Sequence, residues 1–379
     1  MKIAYITRSK YSNKDSYSGT DFFIGKHLRL AGFDVEYIDQ IPTYPKFFCK
    51  IFGYINKLIY KKDFICDYNV FVCKFIAFII TRKISKDTDV ILATNSILLS
   101  YIKTTKTKVF WTDATFAGLV NFYPDFSNLS NFSLLNGNKV ENKALNNVDI
   151  AVYSSDWAAE TAIKNYNFDT KKIRVIPYGC NLDISSLESR CQLNINKQFK
   201  VCKLLFVGKE WDRKGGEKVI EVAKALLKLG VPVELRTLGT KPLYDDTSRP
   251  FFIKEKGFIS KNIENGQDLI DDLYKQAHFL IILPKAECAA MVFAEANSFG
   301  LPVISSNVGG ISTVVKNNIN GKLFELSTSP IIIAQNIKYL FENKQEYYKL
   351  SKSSYKYFLS NLNWDVAVSN LKKVITNEE

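Results

Sequence analysis

The stretch from Pro284 to Gly310, PKAECAAMVFAEANSFGLPVISSNVGG, constrains this 379-residue chain more than any other. It follows an apolar run, Phe279 to Leu283, with the length and composition of a buried strand. Ala289 to Ser298 is rich in helix formers, Gly300 and Pro302 stop that helix, and Val303 to Ser305 begins another short strand. The pattern is strand, loop, helix, strand. In such a unit the loop and the first helical turn lie at the carboxyl edge of a parallel sheet, where ligands of open α/β sheets bind. Glu287 stands in that loop, and Glu295 stands on the helix behind it.

The spacing of the two acids selects a ligand shape. Eight helical residues rise roughly 12 Å, whereas the acid/base carboxyls of a glycosidase stand about 5 to 9.5 Å apart. The pair therefore fits the two ends of an extended ligand. Between them, the backbone N–H groups of Ala289, Ala290, Met291 and Val292 at the helix start can hold a phosphate by hydrogen bonds and the helix dipole. A ligand ordered hydroxyl, phosphate, hydroxyl is a nucleotide-sugar, with the sugar at one carboxylate and the ribose at the other. The plainer alternative is an ordinary βαβ unit with two solvated glutamates, which leaves a Glu unexplained in a loop at the ligand edge.

Glu287, seven residues, Glu295, the Ala-x-x-x-Gly-x-Pro-Val-Ile run from Ala296 and the pair Gly309-Gly310 together resemble the E-x7-E segment of retaining GT-B glycosyltransferases, in particular glycosyltransferase family 4, the glycosyl transferases group 1. The resemblance implies an α/β, GT-B fold: two Rossmann-like domains facing each other across a cleft, with a C-terminal helix crossing back to the first. The expected division is residues 1–182 plus about 355–379 as the acceptor domain and 183–354 as the donor domain. The implied activity is retaining, metal-independent hexosyl transfer from a nucleotide-sugar donor to a glycan or lipid-linked acceptor. A UDP-sugar is favoured by family frequency, and assembly of bacterial surface polysaccharide or lipopolysaccharide is the implied setting. A catalytically silent GT-B protein that binds a sugar or a partner is the alternative, and donor hydrolysis separates the two. A phosphorylase of similar fold lacks support, because no PLP-lysine context is evident.

Taken in order, Lys2 to Ile6 reads as a first parallel strand, followed by a polar loop ending in Ser18-Gly19-Thr20 before a helix through Ala31. Gly19 allows close approach of backbone to a ligand, and the resemblance places this loop under the donor phosphates and near the acceptor. Asp34 to Ile38, Asp89 to Ala93, Lys108 to Trp111 and Asp149 to Tyr153 read as further strands. The aromatic, Asn-rich link from Thr112 to Asn138 reads as a long functional loop. Asp113, just past a strand's carboxyl end, is either a cleft contact or a structural cap. Many family members carry a sugar-contacting His near this point, and this chain does not. Ser154-Ser155 precede a helix from Asp156 to Tyr166, and Ile176-Pro177-Tyr178-Gly179 resembles the family's Ile-Pro-x-Gly at the end of the N-terminal domain. Leu182 to Phe199 reads as the linker.

The second half restarts with a strand from Lys203 to Val207, then GKEWDRKGG from Gly208 to Gly216, then a helix to Leu229. Basic residues beside glycine after a buried strand can meet a diphosphate. The family has Gly-Arg then Lys-Gly here; Lys209 and Lys214 match, with a lysine point charge at 209 in place of a two-pronged arginine. The order is not that of a Walker loop. Val231 to Leu238 supplies another strand, and Gly257-Phe258-Ile259 resembles the turn that receives the nucleobase. The resemblance thus assigns catalysis to Glu287, Asp113 and Lys214, and donor binding to Gly19, Lys209, Arg213, Lys214, Phe258, Ala290, Met291, Val292 and Glu295. Ala290 stands where the family usually has Gly, so a slightly displaced donor loop is expected. Tyr347 to Ile375, with Trp364-Asp365, is similar to the closing helices of GT-B enzymes.

Hydrophobic residues at 46% and charged residues at 23% are those of a soluble globular protein. Seven cysteines without a C-x-x-C pair point to reduced thiols and a cytoplasmic location, and MKIAYITRSK does not read as a secretory signal. The longest apolar stretch, Val70 to Ile80, is too short to span a bilayer and is broken by Lys74. The net charge of +13 is uneven: nine Lys or Arg stand against two Asp between Thr43 and Lys86, interleaved with Phe, Tyr and Ile. Such a segment suits an anionic membrane surface, with the protein peripheral on its inner face, or a polyanionic acceptor; the alternative is a core-packed helix pair with solvated lysines. No nucleic-acid motif accompanies the charge. Asp245-Asp246 and Asp271-Asp272 read as surface pairs rather than a D-x-D metal site. With only His27 and His278, neither a Cys/His metal cluster nor a Ser/His/Asp triad is supported, so no metal or other cofactor is expected.

Overall fold

The computed structural model describes residues 1–41, 45–183, 197–240 and 249–378. Asp245-Asp246 and most of the expected linker lie outside the described residues. The chain divides into two compact units, Met1–Pro177 with Val368–Glu379, and Tyr178–Ala367.

The first unit holds β1 (Lys2–Ile6), β2 (Asp34–Ile38), β3 (Val90–Ala93), β4 (Thr107–Thr112), β5 (Ile150–Tyr153) and β6 (Ile173–Val175), all parallel, in the order β2-β1-β3-β4-β5-β6. Ile3, Ala4, Tyr5 and Ile6 are all fully buried. Successive strand residues point to opposite faces, so burial of all four means that both faces of the sheet are covered, which is why the strand reads as an unbroken apolar run. The helices are α1 (Thr20–Leu30), α2 (Pro45–Tyr60), α3 (Val70–Lys83), α4 (Phe116–Leu119), α5 (Asn131–Asn147) and α6 (Asp156–Tyr166). Side-chain caps fix several starts: Asn69 accepts from Phe71 N–H, and Ser155 from Ala158 N–H.

The expected long loop from Thr112 to Asn138 is corrected by the structure. Helix α4 and a single 3-10 turn, Pro124–Phe126, occupy its first half, and α5 begins at Asn131. Ser130 caps α5 by accepting from Ser133 N–H. Gly137, which reads as a loop residue, is buried inside this helix, and a Cβ there would lie 2.1 Å from the Phe116 ring. Glu141 on the same helix is fully buried and joins two loops at the sheet's carboxyl edge, accepting from Ser96 Oγ (3.0 Å) and Phe116 N–H (3.3 Å). Burial pushes its carboxyl up to about 7, against the opposing pull of those two hydrogen bonds.

The second unit holds β7 (Cys202–Val207), β8 (Val233–Leu238), β9 (Ile253–Glu255), β10 (Phe279–Ile282), β11 (Val303–Ser306) and β12 (Gly321–Phe324), again all parallel, in the order β12-β11-β10-β7-β8-β9. Its helices are α7 (Gly216–Lys228), α8 (Gly266–Gln276), α9 (Met291–Ser298), α10 (Ile311–Val314), α11 (Pro330–Glu342) and α12 (Lys344–Asn361), and the last helix, α13 (Trp364–Thr376), starts in this unit. The unit begins earlier than the polar composition of the linker suggests, because Cys180 and Leu182 already belong to its core. Gly179 lies under Trp364, where a Cβ would come within 2.5 Å of the indole, and Trp364 Nε1 donates to Asn181 Oδ1 at 3.1 Å. From Val368 onward the chain belongs to the first unit, and Lys372 stands over the Phe33 ring.

Asp271 is another correction. It faces inward on α8, is buried, and accepts from Gln267 Nε2 at 2.5 Å, so only Asp272 behaves as a surface residue, paired with Lys275. The helical period separates the two neighbours by about 100° and sends them to different faces.

Candidate active site

In the second sheet the chain runs from β7 outward through β8 and β9, then returns to the other side of β7 as β10. The loops after β7 and β10 therefore leave adjacent strands at the point where the winding reverses, the usual ligand position in such a sheet. They touch each other through backbone. Gly215 has φ +74°, and a Cβ there would lie 1.9 Å from the carbonyl oxygen of Leu283. Lys285 N–H donates to the Arg213 carbonyl at 2.9 Å, closing the contact.

This contact assembles a charged cluster. Arg213 is largely buried; its Nη1 donates to the Ala286 carbonyl at 2.7 Å and stands 3.4 Å from Glu287 Oε2, while its Nε donates to Glu210 Oε2 at 2.8 Å. Lys214 Nζ donates to the same Glu287 oxygen. The other oxygen, Oε1, accepts from Ala290 N–H at 3.3 Å. Burial by itself would raise the Glu287 carboxyl, but Lys214, Arg213 and the Ala290 N–H together outweigh it and hold the group below its ordinary 4.5. Glu287 is thus ionised at neutral pH, suited to accept hydrogen bonds and to position cations rather than to donate a proton.

Helix α9 follows immediately. It begins at Met291, two residues later than the sequence suggests, after Ala290 in the left-handed conformation with φ +46° and ψ +59°. Ala290 takes a backbone that glycine adopts without cost and alanine does not. No side chain caps the helix. Of the four N–H groups expected to face a phosphate, that of Ala290 is instead taken by Glu287; Met291 and Val292, both half-buried, form the open first turn.

Glu295, on the same helix, is buried and held at both oxygens: Lys261 Nζ donates to Oε1 at 2.7 Å and Tyr274 Oη to Oε2 at 2.8 Å. Lys261 also donates to the Asn181 carbonyl at 2.9 Å. Lys261 and Tyr274 are site residues that the sequence does not disclose. Nothing local links Lys261 to an acid 34 positions on; the winding of the sheet brings them together. Each carboxylate oxygen keeps a second lone pair, so a diol can still donate to Glu295.

Lys209 is exposed, and its Nζ stands 4.7 Å from the centroid of the Phe258 ring, itself 55% exposed. Three glycines continue the edge between these residues and the acid cluster. The Lys214 side chain packs on Gly208, a Cβ on Gly239 would meet the Gly208 carbonyl at 2.9 Å, and Gly239 N–H donates to the Gly257 carbonyl at 2.7 Å. Glu287, Lys214, Arg213, Lys209 and Phe258 thus lie along one continuous sheet edge. The first unit carries the remaining two candidates. Gly19, buried with φ +90°, starts α1 after Tyr17 and Ser18, which are also left-handed; Asp113 directly follows β4 and is half-buried. Among the described residues no group of three or more His, Cys, Asp or Glu is placed to hold a metal ion. His278 is buried, accepts from Lys203 N–H at 2.9 Å, and is kept neutral by burial, which pushes its pKa down to about 3.

Residues 188–357 match the family model Glycosyl transferases group 1. The D-inositol 3-phosphate glycosyltransferase of Xylanimonas cellulosilytica is 26% identical over 201 residues, 47% of this chain and 45% of the relative. The chain spans about half the length of the curated relatives it matches. Among solved structures, the sucrose-phosphate synthase of Thermosynechococcus elongatus superposes with a TM-score of 0.72 at 16% identity, covering 100% of this chain and 98% of the other. The HepE protein of Anabaena in complex with UDP and glucose gives 0.65 at 15%, with 99% of both chains covered. The lipopolysaccharide outer core galactosyltransferase WaaB gives 0.63 at 12%, with both chains covered in full. The two parallel six-stranded sheets with their helices are the α/β, GT-B fold of these proteins.

Proposed function

We propose that this chain is a retaining glycosyltransferase of family 4 that moves a sugar from a nucleotide-sugar, a UDP-sugar, to a glycan or lipid-linked acceptor in surface polysaccharide or lipopolysaccharide assembly. The observation that carries the reading is the Glu287, Lys214 and Arg213 cluster beside the uncapped start of α9 at the winding reversal. The group 1 match over 188–357 covers the same segment. The likeness to structures holding UDP and glucose, and to a lipopolysaccharide galactosyltransferase, supports the choice of donor and setting. The cytoplasmic face of a membrane is the proposed location.

The chemistry follows from charge. Departure of a nucleoside diphosphate through an oxocarbenium-like transition state puts negative charge on the leaving phosphate. Lys214, Lys209, Arg213 and the first N–H groups of α9 present fixed positive charge and donors to it. Glu287 holds Lys214 in place and accepts from sugar hydroxyls. Glu295, at the far end of α9, accepts from the ribose, with Lys261 and Tyr274 fixing its orientation. Phe258 offers a flat face to the nucleobase.

Two outcomes are expected. Glu295→Ala weakens UDP binding by about tenfold or more, since buried charge-assisted hydrogen bonds contribute roughly 1.5–3 kcal/mol each. Titration calorimetry measures it, and unchanged affinity in a variant that still melts cooperatively removes the ribose assignment. Second, donor hydrolysis survives EDTA, because lysines and a helix start occupy the role of a cation. Loss of turnover in chelator, restored by manganese, would overturn the metal-free mechanism. A panel of nucleotide-sugars screened for hydrolysis tests the reading as a whole; a chain that binds UDP and hydrolyses none of them is a binding module.

A further inference from the structure

We propose that the first unit docks on an anionic lipid bilayer through α2 and a basic pocket between α3 and α5, the pocket taking a lipid phosphate. The chemistry assigned to the second unit does not enter; vesicle binding and donor hydrolysis can fail separately.

Helix α2 is not the core-packed helix that its apolar content allows. Phe47, Ile51, Ile55 and Leu58 recur at helical spacing on one face and are all exposed, Phe47 and Leu58 by about two-thirds; Phe52 and Ile59 beside them are exposed to a similar degree. The opposite side rests on the protein, where a Cβ on Gly53 would lie 3.5 Å from Phe64. Lys50 and Lys57 flank the apolar face, Lys57 paired with Asp63, and Lys61 and Lys62 follow the helix end. An outward apolar face bordered by lysines is the form of a helix lying in the plane of a membrane interface. A contiguous apolar face of this kind needs a partner.

Direct contacts link the α2 region to α5 and α3. Phe64 stacks on Phe132 of α5 at 5.9 Å, and Val70 N–H donates to Asn136 Oδ1 at 3.3 Å, carrying the chain along α5 into α3. There an open pocket of about 310 Å³ is lined by Lys74 and Tyr101 on one side and by Lys139, Asn142, Lys143 and Asn146 on the other. The α5 residues fall at i, i+3, i+4 and i+7, one face of the helix. No carboxylate lines the pocket, and none of its three ammonium groups has an acidic partner among the described residues. Phe71, 75% exposed, and Leu135, 72% exposed, are apolar and stand on the same two helices.

Charge selects the occupant. A second copy of this chain would bring a second set of uncompensated lysines against the first, whereas anionic lipid supplies both an apolar layer and the missing counter-charge.

The test is vesicle flotation with phosphatidylcholine alone and with about one-third phosphatidylglycerol, at low salt and at about 0.5 M salt, where screening acts within a few ångströms. The full chain is expected to float with anionic vesicles at low salt, to be released by high salt, and to ignore neutral ones. Phe52→Asp with Ile55→Asp should lower binding by at least about tenfold. Lys139→Glu with Lys143→Glu should lower it by a similar factor. All four positions lie outside the proposed donor site, so donor hydrolysis and melting temperature report that the fold is intact. Wild-type protein that stays unbound to anionic vesicles at low salt overturns the proposal, as does full binding by either double variant. Sedimentation velocity showing a dimer that Phe52→Asp with Ile55→Asp dissolves, without vesicle binding, assigns the face to a second copy and overturns it as well.

Discussion

Lys214→Ala is expected to lower donor turnover by about 10²–10³-fold, the usual consequence of removing one preorganised group that meets charge developing in a transition state. Lys214 is 12% exposed on its side chain and sits against a carboxylate that is itself 8% exposed, so its charge acts in a poorly screened setting. The reciprocal change, Glu287→Gln, keeps the shape and removes the anion shared by Lys214 and Arg213. It should lower turnover while leaving UDP affinity nearly intact, because Gln still accepts from a hydroxyl but no longer anchors the cation. Acid stability gives an independent reading. The folded carboxyl lies below its ordinary 4.5, since Lys214 and Arg213 outweigh the upward push of burial. Its stabilising contribution is therefore complete above the unfolded value and lost as pH falls through the folded one. Glu287→Gln should remove this step, so wild-type and variant melting curves should converge on acidification from pH 7 toward pH 3. A Lys214→Ala protein that keeps a third or more of wild-type turnover would sink the assignment.

Gly215→Ala is expected to cost about 3 kcal/mol or more of stability and to abolish nucleotide binding. The left-handed φ of +74° alone costs an alanine roughly 1–2 kcal/mol. Most of the remaining loss comes from the Cβ placed 1.9 Å from the Leu283 carbonyl oxygen. The obstacle is backbone, so no rotamer change relieves it, and the two loops must separate. Separation breaks the Lys285 to Arg213 and Arg213 to Ala286 hydrogen bonds and disperses the charged cluster. Gly230 supplies the control. It too is left-handed, at φ +81°, with nothing within 4 Å of its missing Cβ, so Gly230→Ala should show the conformational cost alone. Urea unfolding of both variants measures the difference, and equal losses would mean that the loops do not touch here.

Strands with two buried faces were legible because burial on both sides leaves an unbroken apolar run, as in Phe279 to Ile282 and Ile3 to Ile6. Helix α6 was legible to the residue because Ser155 caps it. Helix α5 was not, since its Asn-rich start and Gly137 look like loop until Phe116 is seen filling the space over the glycine. The same limit applies at the site. Glu287, Lys214 and Arg213 could be chosen from a resemblance, but the pairing of Lys214 with Glu287, 73 residues apart, depends on the backbone contact between their two loops. Lys261 and Tyr274 had no local signal, being defined by what faces Glu295 across the sheet edge. Asp271 was misplaced because adjacency in sequence says nothing about which helical face each residue occupies.

The return of Val368–Glu379 to the first unit sets an order for biosynthesis. Domains fold largely as units while the ribosome is still working, and Tyr178–Ala367 is one uninterrupted segment that can close as soon as it emerges. The first unit cannot be completed then, although it is made earlier. Val368 and Leu371, both buried in the finished molecule, arrive only after the second unit has been translated, roughly 10 to 40 seconds later at about 5–20 residues per second. For that interval the first unit lacks this last helical segment, including the Lys372 that comes to stand over the Phe33 ring.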